Sequence, residues 1–164
     1  MKERILPLSI GLLAVVAIVG GILFFTRGSH IRLTGGIQKV RTQPMEDTST
    51  VVIADFRFVN PANYPFVVRS VEMFIEDENG KQLESSMSVS EPDARRMFDY
   101  YKMLGPKYND TFTIREKVPA GASMDRMLAA RFEVPAPIIE KRRKLWIRVE
   151  DVDGAVSTLE EGKP

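Results

Sequence analysis

The sequence of 164 residues contains no cysteine and a single histidine, His30. A chain without cysteine forms no disulfide, no zinc-thiolate site and no cysteine-ligated iron-sulfur cluster, and it cannot carry the lipidated cysteine of a bacterial lipoprotein. His30 has no acidic cluster beside it in the sequence, whereas zinc sites and nucleophilic dyads need further ligands or partners. We therefore expect no metal-binding residues.

An excess of charge of either sign is also missing, because 23 Lys and Arg face 22 Asp and Glu, which gives a formal net charge of +1. Nucleic-acid binders usually carry a strong positive field, and disordered acidic chains carry a large negative charge. We therefore expect no nucleic-acid partner. The length suffices for one domain of about 120 residues and an appendage.

Residue patterns typical of active sites are absent from the sequence as well. No carboxylate pair has a spacing that implies acid-base catalysis, and there is no phosphate-cradling glycine loop and no nucleophile elbow. The segment 150–154 faintly resembles a calcium loop, but Asp153-Gly154 between two alternating runs predicts a hairpin turn. We expect no catalytic and no cofactor-binding residues, no enzyme activity and no small-molecule substrate.

A long uncharged run occupies residues 5–26 and would extend about 30 Å as a helix, which matches the hydrocarbon core of a bilayer. A cleaved signal peptide has a shorter apolar region and an A-x-A-like end, whereas this run ends in Phe24, Phe25 and Thr26. We interpret residues 1–26 as a tail and a single transmembrane helix, with a cleaved signal peptide or a buried or interfacial helix as alternatives. Residues 27–36 then form a juxtamembrane linker.

Cations flank both ends of this run, so its orientation stays open. Counting Lys and Arg near the two ends slightly favours a cytoplasmic domain. A short basic tail containing Lys2 and Arg4 is instead typical of an uncleaved signal anchor. We expect the domain on the extracytoplasmic, periplasmic side.

Four small residues lie near one face of the predicted membrane helix: Gly11, Ala14, Ala17 and Gly21. Ala17 and Gly21 form a small-xxx-small pair, which allows another helix to approach closely. The alternative is that glycine and alanine are simply common in membrane helices. On the first interpretation, the partners are the bilayer and other membrane protein subunits.

Residues 37–160 show repeated period-two patterns, which predict β-strands. In the 51–59 run, Val52, Ala54, Phe56 and Phe58 share one face, while Asp55 and Arg57 point the other way. Further strands are predicted at 37–42, 69–77, 82–89, 111–118, 126–134, 145–152 and 155–160. We expect a mainly β protein, an immunoglobulin/fibronectin III-like β-sandwich at 37–160 with a C-terminal tail at 161–164.

One helix is predicted near 91–104 within this series. Ser90 is a suitable N-cap, Pro92 suits the first turn, and Gly105-Pro106 ends the helix. Its apolar side is expected to cover the core of the sandwich. Apolar side chains outside that side, at Tyr100, Met103 and Tyr108, favour the alternative that the helix docks a partner.

A run of four cations, Lys141, Arg142, Arg143 and Lys144, precedes a predicted strand. Such a run can contact anionic headgroups or an acidic partner. The alternative is a solvated loop that also protects a strand edge from pairing with other chains.

The stretch "NPANYP" at 60–65 interrupts an alternating pattern and predicts a corner between two strands. Together with "FRFV" before it and "VPAGASMDRMLAARFEVP" at 118–135, it resembles the water-stress and hypersensitive response module of the LEA-2 family. The resemblance covers roughly residues 37–152. It implies a seven-stranded sandwich, frequent membrane anchoring, no cofactor and no catalytic residue, although the segment 86–108 is longer than in the plain module.

These patterns lead to a functional hypothesis. We expect a non-enzymatic, single-pass membrane protein that serves as an accessory or assembly subunit of a membrane complex, such as a photosynthetic or respiratory one. A stand-alone, membrane-tethered stress or envelope protein of the LEA-2 type is the alternative. A ligand-binding or enzymatic domain is a minority alternative.

Overall fold

The computed structural model describes residues 15–20 and 32–162. The chain divides into two compact units, Met1–His30 and Ile31–Pro164. In the first unit, residues 15–20 form helix α1, and its side chains are exposed. Within the described ranges, no helix has both the length and the apolar character needed to cross a membrane. The remainder of the expected span at 5–26, with Gly11, Ala14 and Gly21, lies outside the described residues, as do His30 and residues 27–31.

The described part of the second unit is mainly β and contains nine strands. They are β1 (Thr34–Glu46), β2 (Ser49–Val59), β3 (Phe66–Glu76), β4 (Gln82–Glu84), β5 (Met87–Ser88), β6 (Lys117–Val118), β7 (Ser123–Phe132), β8 (Lys144–Asp151) and β9 (Val156–Glu161). Eight of them follow the order β4-β3-β8-β9-β1-β2-β7-β5, and β6 pairs with β3. The helices are α2 (Glu91–Tyr100) and α3 (Ala136–Glu140), with a 3-10 turn at Lys102–Leu104.

The sheet curls, so that its two halves share one core, as in a β-sandwich. One half consists of β4, β3, β8 and β9, and the other of β1, β2, β7 and β5. The two halves meet where β1 runs parallel to β9, with Gly36 opposite Glu160. The other strand pairs are antiparallel, and that of β1 with β2 extends along nearly the whole of both strands. Buried side chains from both halves form a single cluster that includes Phe56, Met73 and Ile147. The mainly β prediction is thereby confirmed.

A close approach of β1 to β2 explains the glycine at position 35. A Cβ atom there would collide with the carbonyl oxygen of Arg57 and with the backbone of Phe58. Leu33, just before β1, is buried and donates its backbone N–H to Ser157 Oγ at 2.8 Å. The domain therefore begins earlier than the predicted position 37, and Leu33 to Gly36 belong to it and not to a linker.

The corner at 60–65 connects β2 and β3, which lie in opposite halves of the curled sheet. Asn60 is fully buried and closes the turn through its side chain. Its Oδ1 accepts from the backbone N–H of Ala62 at 3.1 Å, and its Nδ2 donates to Tyr64 O at 2.9 Å. The corner prediction is confirmed, with Asn60 as its centre.

Asn60 also joins this corner to the turn at 118–122. Its Nδ2 lies 3.2 Å from the carbonyl oxygens of Val118 and Pro119. Its backbone N–H donates to Ala122 O at 3.0 Å, and its carbonyl accepts from Gly121 N at 2.9 Å. A buried amide that satisfies several backbone groups is costly to replace, because each group left unpaired loses its hydration without compensation. The two turns are thus held as one unit.

The prediction of one strand at 82–89 is wrong, because two short strands, β4 and β5, occupy this segment. The backbone N–H of Ser85 donates to Met73 O in β3, whereas that of Ser86 donates to Arg131 O in β7. β3 and β7 belong to opposite halves of the sheet, so the chain changes halves between these two serines. The alternation of polar and apolar residues continues through this segment, although the strand it pairs with changes from β3 to β7.

The strand at 111–118 is wrong except for its last two residues, which form β6. Thr111 donates its backbone N–H to Glu91 Oε2, and Arg115 adopts a φ of 68°. A positive φ at a residue other than glycine interrupts extended backbone. Helix α3, which contributes buried Ile139, was not expected at all.

Candidate protein-binding surface

Helix α2 begins as its sequence predicts. Ser90 Oγ accepts the backbone N–H of Asp93 at 3.3 Å and donates to its carboxylate at 2.7 Å. Pro92 lies in the first turn, where a missing N–H costs nothing. The α-helix ends at Tyr100, and a 3-10 turn continues to Leu104. The N-terminal prediction is confirmed, and the predicted end at Gly105 coincides with the end of the 3-10 turn.

The apolar side of α2 packs on the outer face of the sheet and does not cover the main core. Ala94, Met97 and Phe98 lie in a second buried cluster with Val51 and Ile53 of β2. The expectation that this apolar side would cover the core of the sandwich is therefore wrong. Both faces of β2 are covered, one by the main core and the other by the segment 86–111, which we call the insertion.

A buried ion pair fixes the segment that follows α2. Arg41 Nη2 and Asp55 Oδ2 lie 2.5 Å apart, with side chains 8% and 5% exposed. Arg41 Nη1 also donates to the carbonyl oxygens of Leu104 and Pro106, at 3.0 and 2.9 Å. Asn109 Nδ2 donates to Asp55 Oδ1 at 2.9 Å. Asp55 lies on the opposite face of β2 from Phe56, as the alternation predicts, and there it holds the insertion in place.

A second charged contact holds the beginning of α2. Glu91 accepts from Arg95 Nε at 2.7 Å and from the backbone N–H of Thr111 at 2.8 Å, and Lys107 Nζ lies 2.9 Å away. Partial burial alone raises the pKa of Glu91, but the hydrogen bonds from Lys107, Thr111 and Arg95 outweigh it and lower this pKa to about 2. The carboxylate therefore stays charged and connects both ends of the insertion.

The three apolar side chains singled out from the sequence lie in different surroundings. Tyr100 and Met103 are 79% and 96% exposed. Tyr108, also exposed, has Lys39 Nζ 5.0 Å and the Arg41 guanidinium 5.5 Å from its ring centre. Such cation-ring contacts stabilise Tyr108 in place. Tyr100 and Met103 are therefore the more available of the three for binding.

An apolar depression of about 650 Å³ lies beside Tyr100. We call it the methionine groove. Its lining combines β1, β2, β5, β7 and α2: Met45, Val51, Met87, Ser88, Val89, Ser90, Asp93, Arg96, Met97, Tyr100, Tyr101 and Arg131. Met87 is 66% exposed, and Met45 is also exposed. Methionine adapts its shape to what it contacts, and Met, Tyr and Arg are enriched in protein interfaces.

Sequence reasoning missed Met45, Met87 and Arg131. A signal for two of them exists, since Met45 in "QPMEDT" and Met87 in "SSMSVS" are isolated apolar residues in polar surroundings. Their meeting beside α2 depends on the pairing of β5 with β7, which the sequence does not reveal.

The four cations at 141–144 do not form a uniformly free patch. Arg142 makes a two-point ion pair with Glu161, at 3.0 and 2.7 Å, and its side chain is 17% exposed. Lys141 and Arg143 each lie 3.9 Å from a carboxylate, those of Glu78 and Glu76. Lys144 is exposed at the start of β8. Headgroup or partner contact therefore stays a prediction for the other three cations, while Arg142 has a structural role.

The two surfaces differ in their distance from the point where the chain enters the domain. The cations at 141–144 lie close to it, because Arg142 binds Glu161, which pairs with Ile37, four residues beyond Leu33. Met45 lies twelve residues beyond Leu33, about 40 Å along extended strand. A partner held in the methionine groove would thus lie at the far end of β1.

Within residues 15–20 and 32–162, no group of three His, Asp or Glu side chains is placed to hold a metal ion. The described charged residues with close partners serve to join strands, turns and the insertion.

No protein-family model matches the sequence, and no curated protein matches it. Two solved structures are similar to the chain. A conserved hypothetical protein from Bacillus anthracis is 14% identical over 72% of this chain and 82% of its own, with a TM-score of 0.40. An uncharacterized β-sandwich protein from Clostridium difficile 630 is 8% identical over 80% of this chain and 86% of its own, with a TM-score of 0.41.

Proposed function

We propose that this chain is a non-enzymatic, membrane-tethered binding domain that serves as an accessory or assembly subunit of a membrane protein complex. The observation that carries the proposal is the methionine groove, where exposed Met45, Met87 and Tyr100 surround buried Val51 and Met97. A patch of exposed apolar side chains rimmed by polar ones is typical of a site of protein interaction.

The tether is supported by the composition of residues 5–26 and by α1. Its large apolar side chains, Val15, Val16, Ile18 and Val19, are all exposed. A helix that is apolar on every side is stable when lipid or protein surrounds it. We propose a single-pass helix with the domain on the periplasmic side, in which Ala17 and Gly21 allow a partner helix to approach.

The experiment is purification of the full chain from its native membranes in mild detergent, followed by mass spectrometry. We expect a stoichiometric membrane partner with the wild type. M87E and Y100E should lose this partner, because each places a charge in the methionine groove. I114E is the matched control, since Ile114 is exposed and does not line the groove.

The contribution of the membrane helix is tested separately with an A17L/G21L variant, which keeps the hydrophobicity of residues 5–26 and fills the proposed contact surface. We expect it to reach the membrane but to bind less partner. Wild-type stoichiometry would show that the helix is an anchor only. Migration of the wild type without any stoichiometric partner would contradict the subunit proposal.

One observation favours the alternative of a LEA-2-like tethered domain with an immunoglobulin/fibronectin III-like sandwich. The two motifs that carry the resemblance, "NPANYP" and "VPAGA", contact each other through the hydrogen bonds of Asn60. A stand-alone protein of this kind would purify without partners and would tolerate M87E in its native membrane.

A further inference from the structure

A depression of about 420 Å³ lies where β8 begins and β9 ends, in the half of the sheet that does not carry the methionine groove. Trp146, the single tryptophan of the sequence, contributes an aromatic ring to its lining. The lining also contains three acidic and three basic side chains: Glu140, Glu160, Glu161, Arg142, Arg143 and Lys144. We call this depression the tryptophan pocket. Its volume falls within the range of about 300 to 1,000 Å³ that is usual for small-molecule sites.

The indole ring of Trp146 has one face covered and the other face turned toward the pocket. Its ring stacks on Phe74 of β3, with ring centres 5.6 Å apart and ring planes inclined by 13°. Phe74 is the partner of Trp146 in the pairing of β3 with β8, and Glu160 is its partner in the pairing of β8 with β9. The face that Phe74 leaves uncovered is therefore directed toward β9 and Glu160. Trp146 is half-buried, so part of its ring contacts solvent.

Only part of the charged lining is used within the protein. Arg142 and Glu161 form a two-point ion pair, and Arg143 lies 3.9 Å from Glu76. Three exposed side chains of the lining form no ion pair or side-chain hydrogen bond with another described residue: Glu140, Lys144 and Glu160. An ammonium group donates and a carboxylate accepts, so the tryptophan pocket offers both kinds of hydrogen-bonding group beside an aromatic face.

A neutral sugar ring has the complementary chemistry. Its C–H groups form an apolar face that packs on an aromatic ring, and its hydroxyl groups both donate and accept hydrogen bonds. A strongly anionic ligand would meet the free carboxylates of Glu140 and Glu160. A cationic ligand would meet the ammonium group of Lys144, and the described lining offers it one aromatic ring, whereas an aromatic cage for a quaternary ammonium consists of several.

We propose that the tryptophan pocket binds a neutral sugar ring, with Trp146 as the stacking surface and Lys144 and Glu160 as hydrogen-bonding groups. The inference goes beyond the proposed function and does not rest on it, because the described lining residues of the tryptophan pocket and the methionine groove do not overlap. Two sources can supply such a ring, a soluble glycan and the headgroup of a neutral glycolipid. The second source is included because Glu160 pairs with Gly36, close to the point where the chain enters the domain.

Trp146 provides the readout, because no other tryptophan contributes to the fluorescence of the protein. In the first arm, the full chain in a detergent without a sugar headgroup is titrated with soluble oligosaccharides of neutral hexoses, pentoses and N-acetylhexosamines. In the second arm, the full chain is reconstituted into phosphatidylcholine vesicles that contain increasing fractions of a neutral glycolipid. We expect a saturable change of tryptophan emission in at least one arm, and the responding arm identifies the source of the sugar.

Variants then test the assigned groups, with affinity measured by calorimetry because W146F loses the fluorescence signal. K144M and E160A should each weaken binding about tenfold, since each removes a hydrogen bond to a charged group. W146F still packs on Phe74 but offers a smaller ring, and it should weaken binding by roughly threefold to tenfold. K81M is the matched control for K144M, because Lys81 is exposed and does not line the tryptophan pocket. Urea denaturation checks that each variant is folded.

Three results would overturn the inference. The first is the absence of a saturable change with every sugar probe in both arms. The second is equal affinity of the wild type, W146F, K144M and E160A, which would place the sugar elsewhere. The third is a saturable response to choline or to inorganic phosphate while the sugar probes give none, which would assign a charged ligand to the pocket. The proposed function is tested separately by the loss of a partner in M87E.

Discussion

The two faces of β2 are covered by different kinds of structure. On the inner face, Ala54, Phe56 and Phe58 are fully buried in the main core, and Phe112 packs against both aromatic rings. On the outer face, apolar contacts end at Ile53, and the next position is occupied by Asp55 with its ion pair. The inner face is held mainly by apolar packing, whereas the outer one also depends on charged groups in a fixed geometry.

This difference indicates a division of roles. Apolar packing stabilises a core without requiring one particular arrangement of partners. A buried ion pair is compensated only in its correct geometry, so it restricts the segment it holds to one position. The insertion, which lines part of the methionine groove, is held in the second way. The comparison predicts that the two faces respond differently to substitution.

The largest effect is expected from F56A on the inner face. Removing a buried phenylalanine ring costs about 3 to 5 kcal/mol, since contacts with Phe58 and Phe112 are lost and a cavity forms. The free energy of unfolding, measured with urea, checks this. I53A is the matched change on the outer face, with an expected cost of about 2 to 4 kcal/mol. A smaller cost for F56A than for I53A would contradict the primacy of the inner core.

The next effect concerns Asp55. D55A leaves the guanidinium of Arg41 buried without its carboxylate, which should cost about 3 kcal/mol. Hydrogen exchange should show the loss of protection mainly at residues 91–111. The double variant R41M/D55A removes both charges and should recover most of the stability, because no buried charge is left unpaired. A double variant no more stable than D55A would show that the unpaired guanidinium of Arg41 is not the cause of the loss.

A pH effect distinguishes the insertion from the core. The folded-state pKa of Glu91 is lowered to about 2 from an ordinary value of 4.5, so its stabilisation is present above pH 4.5 and is lost as the pH falls toward 2. We expect a contribution of about 1 to 2 kcal/mol after allowing for solvent screening. E91Q should remove this part of the pH dependence, which thermal denaturation at several pH values measures. An unchanged profile in E91Q would contradict the assignment.

The smallest effect is expected at the corner, from the P61A/P65A variant. Both prolines are exposed, and the turn is closed by the hydrogen bonds of Asn60. Compatible prolines stabilise by about 0.4 to 1 kcal/mol, chiefly because they restrict the unfolded chain. Urea denaturation should show a modest loss. A change within about 0.3 kcal/mol would indicate that Asn60 alone maintains the corner, a threshold below the usual effect of such prolines.

Local signals in the sequence sufficed for β2, β3, the N-cap of α2 and the corner. Alternation marked the strands, and Ser90 and Pro92 marked the beginning of the helix. The signal failed where local pattern and long-range pairing disagree. The run at 111–118 has strand-like composition. However, the backbone N–H of Thr111 donates to the carboxylate of Glu91 and not to a neighbouring strand, so no strand forms there.

The candidate surface was predicted only in part for the same reason. Tyr100 and Met103 could be identified from the predicted helix at 91–104 alone, because they lie away from its apolar stripe. The methionine groove requires Met45, Met87 and α2 to meet, and these come from three separate elements. The Arg41–Asp55 pair joins two neighbouring strands, but its contact with the carbonyl groups of Leu104 and Pro106 spans more than 60 residues.

The placement of β1 has a mechanical consequence. A pulling force applied at Leu33 along the axis of β1 would act on a strand that is bonded to β9 on one side and to β2 on the other. In a sheet the interstrand hydrogen bonds lie across that axis, so such a force loads many of them together in shear instead of opening them one by one. Forced unfolding is governed by the rate at which the chain crosses its unfolding barrier. This rate is low when many hydrogen bonds along a strand must break together. Tension from a moving attachment would therefore be transmitted through β1 before the domain yielded.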